Sequence, residues 1–187
     1  HLPSRYYSKT FEIENGEKLL LVVMDTNPFI EDYHKSPEKY DGIKKQDTLA
    51  QTKWLEQTLG TSDPSIKWKI VVGHHPLYSG GKRKTDKNTL SFEKRFANVF
   101  EKYKVDAYIC GHEHDLQIIK PKGRKTAQFL SGSGSEVRTT GNREGTIFAA
   151  AEPGFMTFSI LKNKLLVQTV KANANGAQVL HQHEISK

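Results

Sequence analysis

Two short stretches hold the residues best equipped for chemistry: Ile70-Val71-Val72-Gly73-His74-His75-Pro76 and Ala107-Tyr108-Ile109-Cys110-Gly111-His112-Glu113-His114. Each is a short apolar run, a glycine, then histidine. Imidazole suits zinc, iron, copper and nickel, and two histidines at i and i+2 leaving a strand can aim at one metal centre or at two adjacent ones. Glycine at such a point permits a tight turn and a close backbone approach to a ligand. A single histidine after a glycine is more commonly a turn residue or a satisfied polar group. The pattern gains weight because it recurs, with His74 and His112 38 positions apart.

The flanking elements must bring these stretches together. The pattern predicts strands over residues 6–14 and 18–24, joined at Asn15-Gly16, a strong hairpin signal. Asp25-Thr26-Asn27-Pro28 ends the second strand, and a polar loop follows to about Lys44. Leu49, Trp54, Leu55 and Leu59 at helical spacing, with Gly60 as a stop, predict a helix over residues 47–59. Residues 66–72 read as a strand, residues 92–103 as a second helix with Phe92, Phe96, Val99, Phe100 and Tyr103 on one face, and residues 105–110 as a short buried strand. Further strands fall near residues 116–119, 127–130, 154–161, 165–171 and 178–184. The Gly-, Ser- and Thr-rich stretch 131–153 reads as a loop longer than the about 12–15 residues usual for structureless connections, which points to a functional or mobile segment. In α/β architectures sites gather at the carboxyl ends of strands, where both histidine stretches fall.

With 187 residues, 36% hydrophobic and 26% charged, the chain can bury one core, and it reads as one domain over residues 1–187. No apolar run approaches the about 18 residues of a membrane span, so no membrane partner is expected. The net charge of +7 favours anionic partners. Its basic residues are not interleaved with aromatics, which speaks against specific nucleic-acid binding. Cys110, the single cysteine, excludes an intrachain disulfide and reads as a small buried apolar residue. His1-Leu2-Pro3-Ser4 has neither the basic nor the apolar region of a signal peptide, and the chain begins as though cut from something longer.

These motifs resemble the last two of the metallophosphoesterases, and further details resemble the purple acid phosphatases, particularly the small tartrate-resistant kind. Those details are Arg5-Tyr6-Tyr7, Met24-Asp25-Thr26, Gln51 with Trp54-Leu55, Gly73-His74-His75-Pro76, the run from Tyr108 to Gln117, Leu130-Ser131-Gly132-Ser133-Gly134 and Gly154-Phe155. The resemblance implies an α/β fold of the four-layer αββα type, of which this chain is the C-terminal half, with a mixed sheet flanked by helices. It implies hydrolysis of phosphate monoesters by a dinuclear centre of Fe3+ with Fe2+, Zn2+ or Mn2+, and a secreted or periplasmic setting. His74 and His112 would bind the exchangeable divalent metal and His114 the ferric ion. A phosphodiesterase or nucleotidase of the same superfamily is the nearest alternative, and a non-catalytic anion-binding module the next.

The departures are as informative. The family's aspartate, asparagine and tyrosine ligands lie on upstream motifs, and no Gly-Asp or Gly-Asn-His motif occurs between His1 and Lys69. Three imidazoles lack the bridging anionic oxygen that keeps two like-charged metals together. The expected partner is therefore an N-terminal half of the same domain, and this chain alone is expected to be inactive. Nine positions past His74, where small members place a further histidine, stands Arg83 within Lys82-Arg83-Lys84. Its guanidinium can hold phosphate but is a poor general acid; a solvated basic loop is the competing reading. His75, next to a ligand, would face the substrate or support the site. Asp115 reads as a carboxylate orienting a ligand imidazole, Asp25 as a strand-end anchor, and His181 and His183 as residues on the solvent face of the last strand. Trp54, Trp68 and Tyr78 read as core or rim aromatics.

Overall fold

The computed structural model describes residues 2–187. Strand β1 (Tyr7–Glu12) turns into β2 (Lys18–Val23) through Asn15 and Gly16, whose φ values of 54° and 76° are the left-handed pair that a tight hairpin needs. The next parallel neighbours are β3 (Ile66–Val72), β4 (Ala107–Cys110) and β6 (Ala127–Ser131). Strand β5 (Leu116–Ile119) runs antiparallel to β6 and to β7 (Thr146–Ala150), completing a seven-stranded mixed sheet of order β1-β2-β3-β4-β6-β5-β7. A second, antiparallel sheet has order β10-β9-β8, from β8 (Gly154–Ile160), β9 (Lys164–Asn173) and β10 (Gly176–Ser186).

Helices cover one face of the large sheet. Helix α1 (Glu31–Lys35) is a single turn, and α2 (Thr48–Leu59) starts where Asp47 caps the Ala50 N–H. Helix α3 (Lys87–Lys102) begins five residues before the predicted start, because Asp86 Oδ1 accepts from the N–H groups of Asn88 and Thr89. Leu55 and Leu59 of α2 and Phe92, Phe96 and Phe100 of α3 pack on Leu20, Val22, Val71, Tyr108 and Leu130 of the sheet. Each of these buried side chains contributes about 1.5–3 kcal/mol. On the opposite face Trp68, Ile70, Ile118 and Phe129 meet Met156, Leu165 and Val167 of the small sheet. Helices and two facing sheets are thus three layers of the expected αββα order, while Phe155 and Val179 are exposed on the small sheet.

Three expectations change. The stretch 131–153 is not all loop, since residues 146–150 form β7 and close the sheet beside β5. The segment after Asp25 is not plain loop either, because 27–29 and 43–45 form single 3-10 turns around α1. His181 and His183 face inward: a bulge in β10 at Val179/His181 turns them onto the large sheet, where His181 stacks on Phe148 at 4.9 Å and His183 lies 5.9 Å from Phe129. Flat imidazoles fill an intersheet layer well, and an aromatic partner supplies what a metal does not. Trp68 is fully buried with its indole N–H on the Leu161 carbonyl, Tyr78 is buried, and Asp25 anchors the strand end by accepting from the Asn27 N–H.

Candidate metal centre

The parallel run of β2, β3 and β4 places three carboxyl ends side by side. The Met24 N–H donates to Val72 O, Gly73 N–H to Ile109 O, and Gly111 N–H to His74 O, so the ladder continues into the loops carrying the histidines. Gly73 is required there: a Cβ would lie 2.5 Å from Tyr108 Oη and 2.7 Å from Thr26 Cγ2. His112 takes a left-handed backbone, φ 70°, uncommon for a residue with a side chain and typical of functional turns.

This backbone brings His74 Nε2 and His112 Nδ1 to 3.0 Å. Burial, reinforced by the nearby Arg83 charge, lowers the pKa of both rings, that of His112 to about 4. Both are therefore neutral at neutral pH, and each has a ring lone pair to offer. The ring nitrogens of His74, His75 and His112 lie within 4.8 Å of one another, and among the described residues no carboxylate joins them. His75 is spoken for, with Nδ1 2.8 Å from Thr26 Oγ1 and Nε2 3.0 Å from Tyr33 Oη. Its burial holds the imidazole neutral, with a pKa of about 2. The outward ring nitrogens of His74 and His112 are thus of a kind that can hold a metal ion, while His75 braces the turn. His114 stands outside the three-histidine group; its Nδ1 lies 3.0 Å from Glu136 Oε2, a carboxylate also held by Arg138.

Arg83 is drawn to the site by a residue the sequence reading passed over. Glu113 is 2% exposed, and its carboxylate accepts from Ser79 Oγ at 2.7 Å, the Arg83 N–H at 2.8 Å and Arg83 Nη1 at 3.1 Å. The signal was available: a carboxylate in a buried turn must have charged or N–H partners. Asp115 departs from its expected role, since its carboxylate accepts from Gln117 Nε2 at 2.7 Å; burial raises its pKa. Cys110 is buried, which pushes its thiol pKa well up and fits the apolar reading. Thr26, noted in the sequence only as part of Met24-Asp25-Thr26, and Tyr33, given no role there, supply the partners of His75.

A cavity of about 400 Å³ opens beside the histidines, lined by Tyr33, Lys39, His75, Arg83 and His112 among others. It can take a phosphate group together with part of its ester.

Comparison with known proteins agrees with this fold. The family model for calcineurin-like phosphoesterases matches residues 3–116. Purple acid phosphatase 4 of Arabidopsis thaliana is 32% identical over 195 residues, covering 100% of this chain and 56% of that protein. The chain therefore spans about half the length of the curated relatives it matches. Among solved structures, GAP50, the anchor in the inner membrane complex of Plasmodium, superimposes with a TM-score of 0.76 at 19% identity, covering 99% of this chain and 55% of that one. The purple acid phosphatase PPD1 of yellow lupin seeds gives 0.72 at 19% identity, over 97% of this chain and 32% of that one.

Proposed function

Because the chain belongs to the calcineurin-like metallophosphoesterase family, we propose that it supplies the histidine half of a dinuclear-metal site that hydrolyses phosphate monoesters, in the manner of its purple acid phosphatase relatives. The observation that carries this reading is the 3.0 Å approach of His74 Nε2 and His112 Nδ1 from two different strand ends. His74 and His112 would hold one metal and His114 the other, as Fe3+ with Fe2+, Zn2+ or Mn2+. Such a pair, when bound, lowers the pKa of water and offsets charge on the phosphoryl oxygens.

The chain's own residues do the rest. With Nη1 of Arg83 fixed on Glu113, the other N–H groups of its guanidinium can hold phosphate oxygens. His75, locked by Thr26 and Tyr33, cannot swing into competition for the metal and sets the wall beside His112. The anionic ligands belong to an N-terminal half outside this chain, so the chain alone binds metal weakly and does not turn over. The relationship to purple acid phosphatases supports a secreted or periplasmic setting. Among the described residues no helix is long and apolar enough to cross a membrane.

The test is His112→Ala in the whole protein, with metal content and hydrolysis of a chromogenic phosphate ester measured together. Loss of both supports the reading. Retention of both overturns it. One observation favours a second reading: with no carboxylate in the histidine group, the fold could serve as an anion-binding module. That module would lose phosphate with added salt and be indifferent to chelator.

A further inference from the structure

Resting on the phosphomonoesterase reading above, we propose that Tyr33 is the proton donor to the leaving-group oxygen, its hydroxyl hydrogen freed for that role by a His75 tautomer that Thr26 dictates. The argument is one of counting. A hydroxyl oxygen has one hydrogen to give and two lone pairs to accept with. Thr26 Oγ1 accepts from the backbone N–H of His74 and of His75, both at 3.2 Å, which occupies both lone pairs. Its hydrogen must then serve the third contact, His75 Nδ1 at 2.8 Å. Nδ1 is therefore the acceptor, and the imidazole hydrogen sits on Nε2, 3.0 Å from Tyr33 Oη. Nε2 donates to the phenol oxygen, and the phenol hydrogen is left without a partner among the described residues.

Tyr33 lines the same cavity as Arg83 and His112, so that free O–H is presented beside the phosphate site. Tyr40, a second phenol, also lines the cavity, stacked on Tyr33 at 4.2 Å with Lys39 over its ring, but among the described residues no imidazole N–H reaches its oxygen to hold a phenolate as His75 does for Tyr33. The carboxylates lining the cavity are committed. Asp86 accepts from the first N–H groups of α3, and Asp32 accepts from Lys35 and Asn88. A guanidinium is a poor general acid. A phenol, by contrast, is acidic enough to protonate an alkoxide, whose conjugate alcohol is a far weaker acid.

In the step, water attacks phosphorus and the ester P–O bond breaks with its electron pair on the leaving oxygen. That oxygen takes the Tyr33 proton and leaves as the alcohol. The phenolate is held by His75 Nε2–H until the proton that the attacking water sheds on becoming a phosphate hydroxyl is passed back to it through solvent, so that Tyr33 ends the cycle as it began.

The signature is a dependence on leaving group, because a donor matters most where the leaving oxygen is most basic. Wild type and Tyr33→Phe of the whole metal-loaded protein are compared on glycerol 2-phosphate and on p-nitrophenyl phosphate. The expected loss in kcat/KM on the alkyl ester is about 10²–10⁴-fold, at least ten times the loss on the aryl ester. Equal losses on both esters overturn the proposal and leave Tyr33 a structural brace for His75. A wild-type protein that hydrolyses neither ester overturns the phosphatase reading and the donor role with it, a result distinct from equal losses. An independent readout needs no turnover: nitrogen NMR of the 15N-labelled whole protein without metal places the His75 proton on Nε2. A proton on Nδ1 refutes the arrangement.

Discussion

The chain contains two His-Xaa-His pairs with identical spacing and opposite fates. His112 and His114 leave the carboxyl end of β4 after a glycine, and His112 turns through a left-handed backbone to meet His74. His181 and His183 sit within β10, where the period of two sends both rings onto Phe148 and Phe129 of the facing sheet. Imidazole is a ligand in waiting in the first setting and a flat packing unit in the second. The residue type does not decide between them. The strand end, the glycine and the neighbouring loops do, because only there can side chains from different strands converge with lone pairs outward.

The comparison can be broken most decisively by exchanging the two pairs' liabilities. His112→Ala in the whole protein should lower activity by more than about 100-fold, since even the outer hydrogen-bond partners of a metal site cost 10–100-fold when lost. His183→Phe should leave activity within about twofold and shift the melting temperature by only a few degrees. Comparable losses in the two variants would erase the distinction. Next in size, Glu113→Ala removes the acceptor shared by Ser79 and Arg83 and should cost about 1–3 kcal/mol of stability, read from denaturant melts. It should also raise KM for phosphate esters by releasing Arg83, and an unchanged KM would detach Arg83 from substrate.

The smallest effect concerns pH. Burial holds the folded-state pKa of His183 below the ordinary 6.5. The unfolded chain therefore takes up a proton that the folded chain refuses. The stability from this neutral ring is fully present above that ordinary value and is lost as pH falls toward the folded pKa. His183→Phe should flatten this part of the acid decline in stability. An unaltered slope would show that the ring is not held neutral by the intersheet layer.

Much of this could be read from sequence because the informative signals were local. Asn15-Gly16 specified its own turn, the apolar runs of β3 and β4 ended in glycine, and the α3 aromatics recurred at helical spacing. Strand β7 was hidden because five residues amid a Gly-, Ser- and Thr-rich stretch have no period of their own and become a strand only by pairing with β5. Residues 27–45 were opaque for the same reason, their short turns being held by contacts rather than propensity. The His75 partners Thr26 and Tyr33 lie 49 and 42 positions away, a separation at which composition carries no signal. The inward turn of His181 and His183 depended on a bulge, which shifts register by one residue and so reverses a face.

The most direct test of the half-site account is metal content measured with phosphatase activity, on this chain alone and on a polypeptide extended upstream to include the carboxylate motifs. The account predicts that only the extended protein binds about two metals, the number a paired site requires, and hydrolyses a chromogenic phosphate ester. Two metals and turnover on this chain alone would contradict it, since ligands beyond His74, His112 and His114 would then have to lie within these 187 residues.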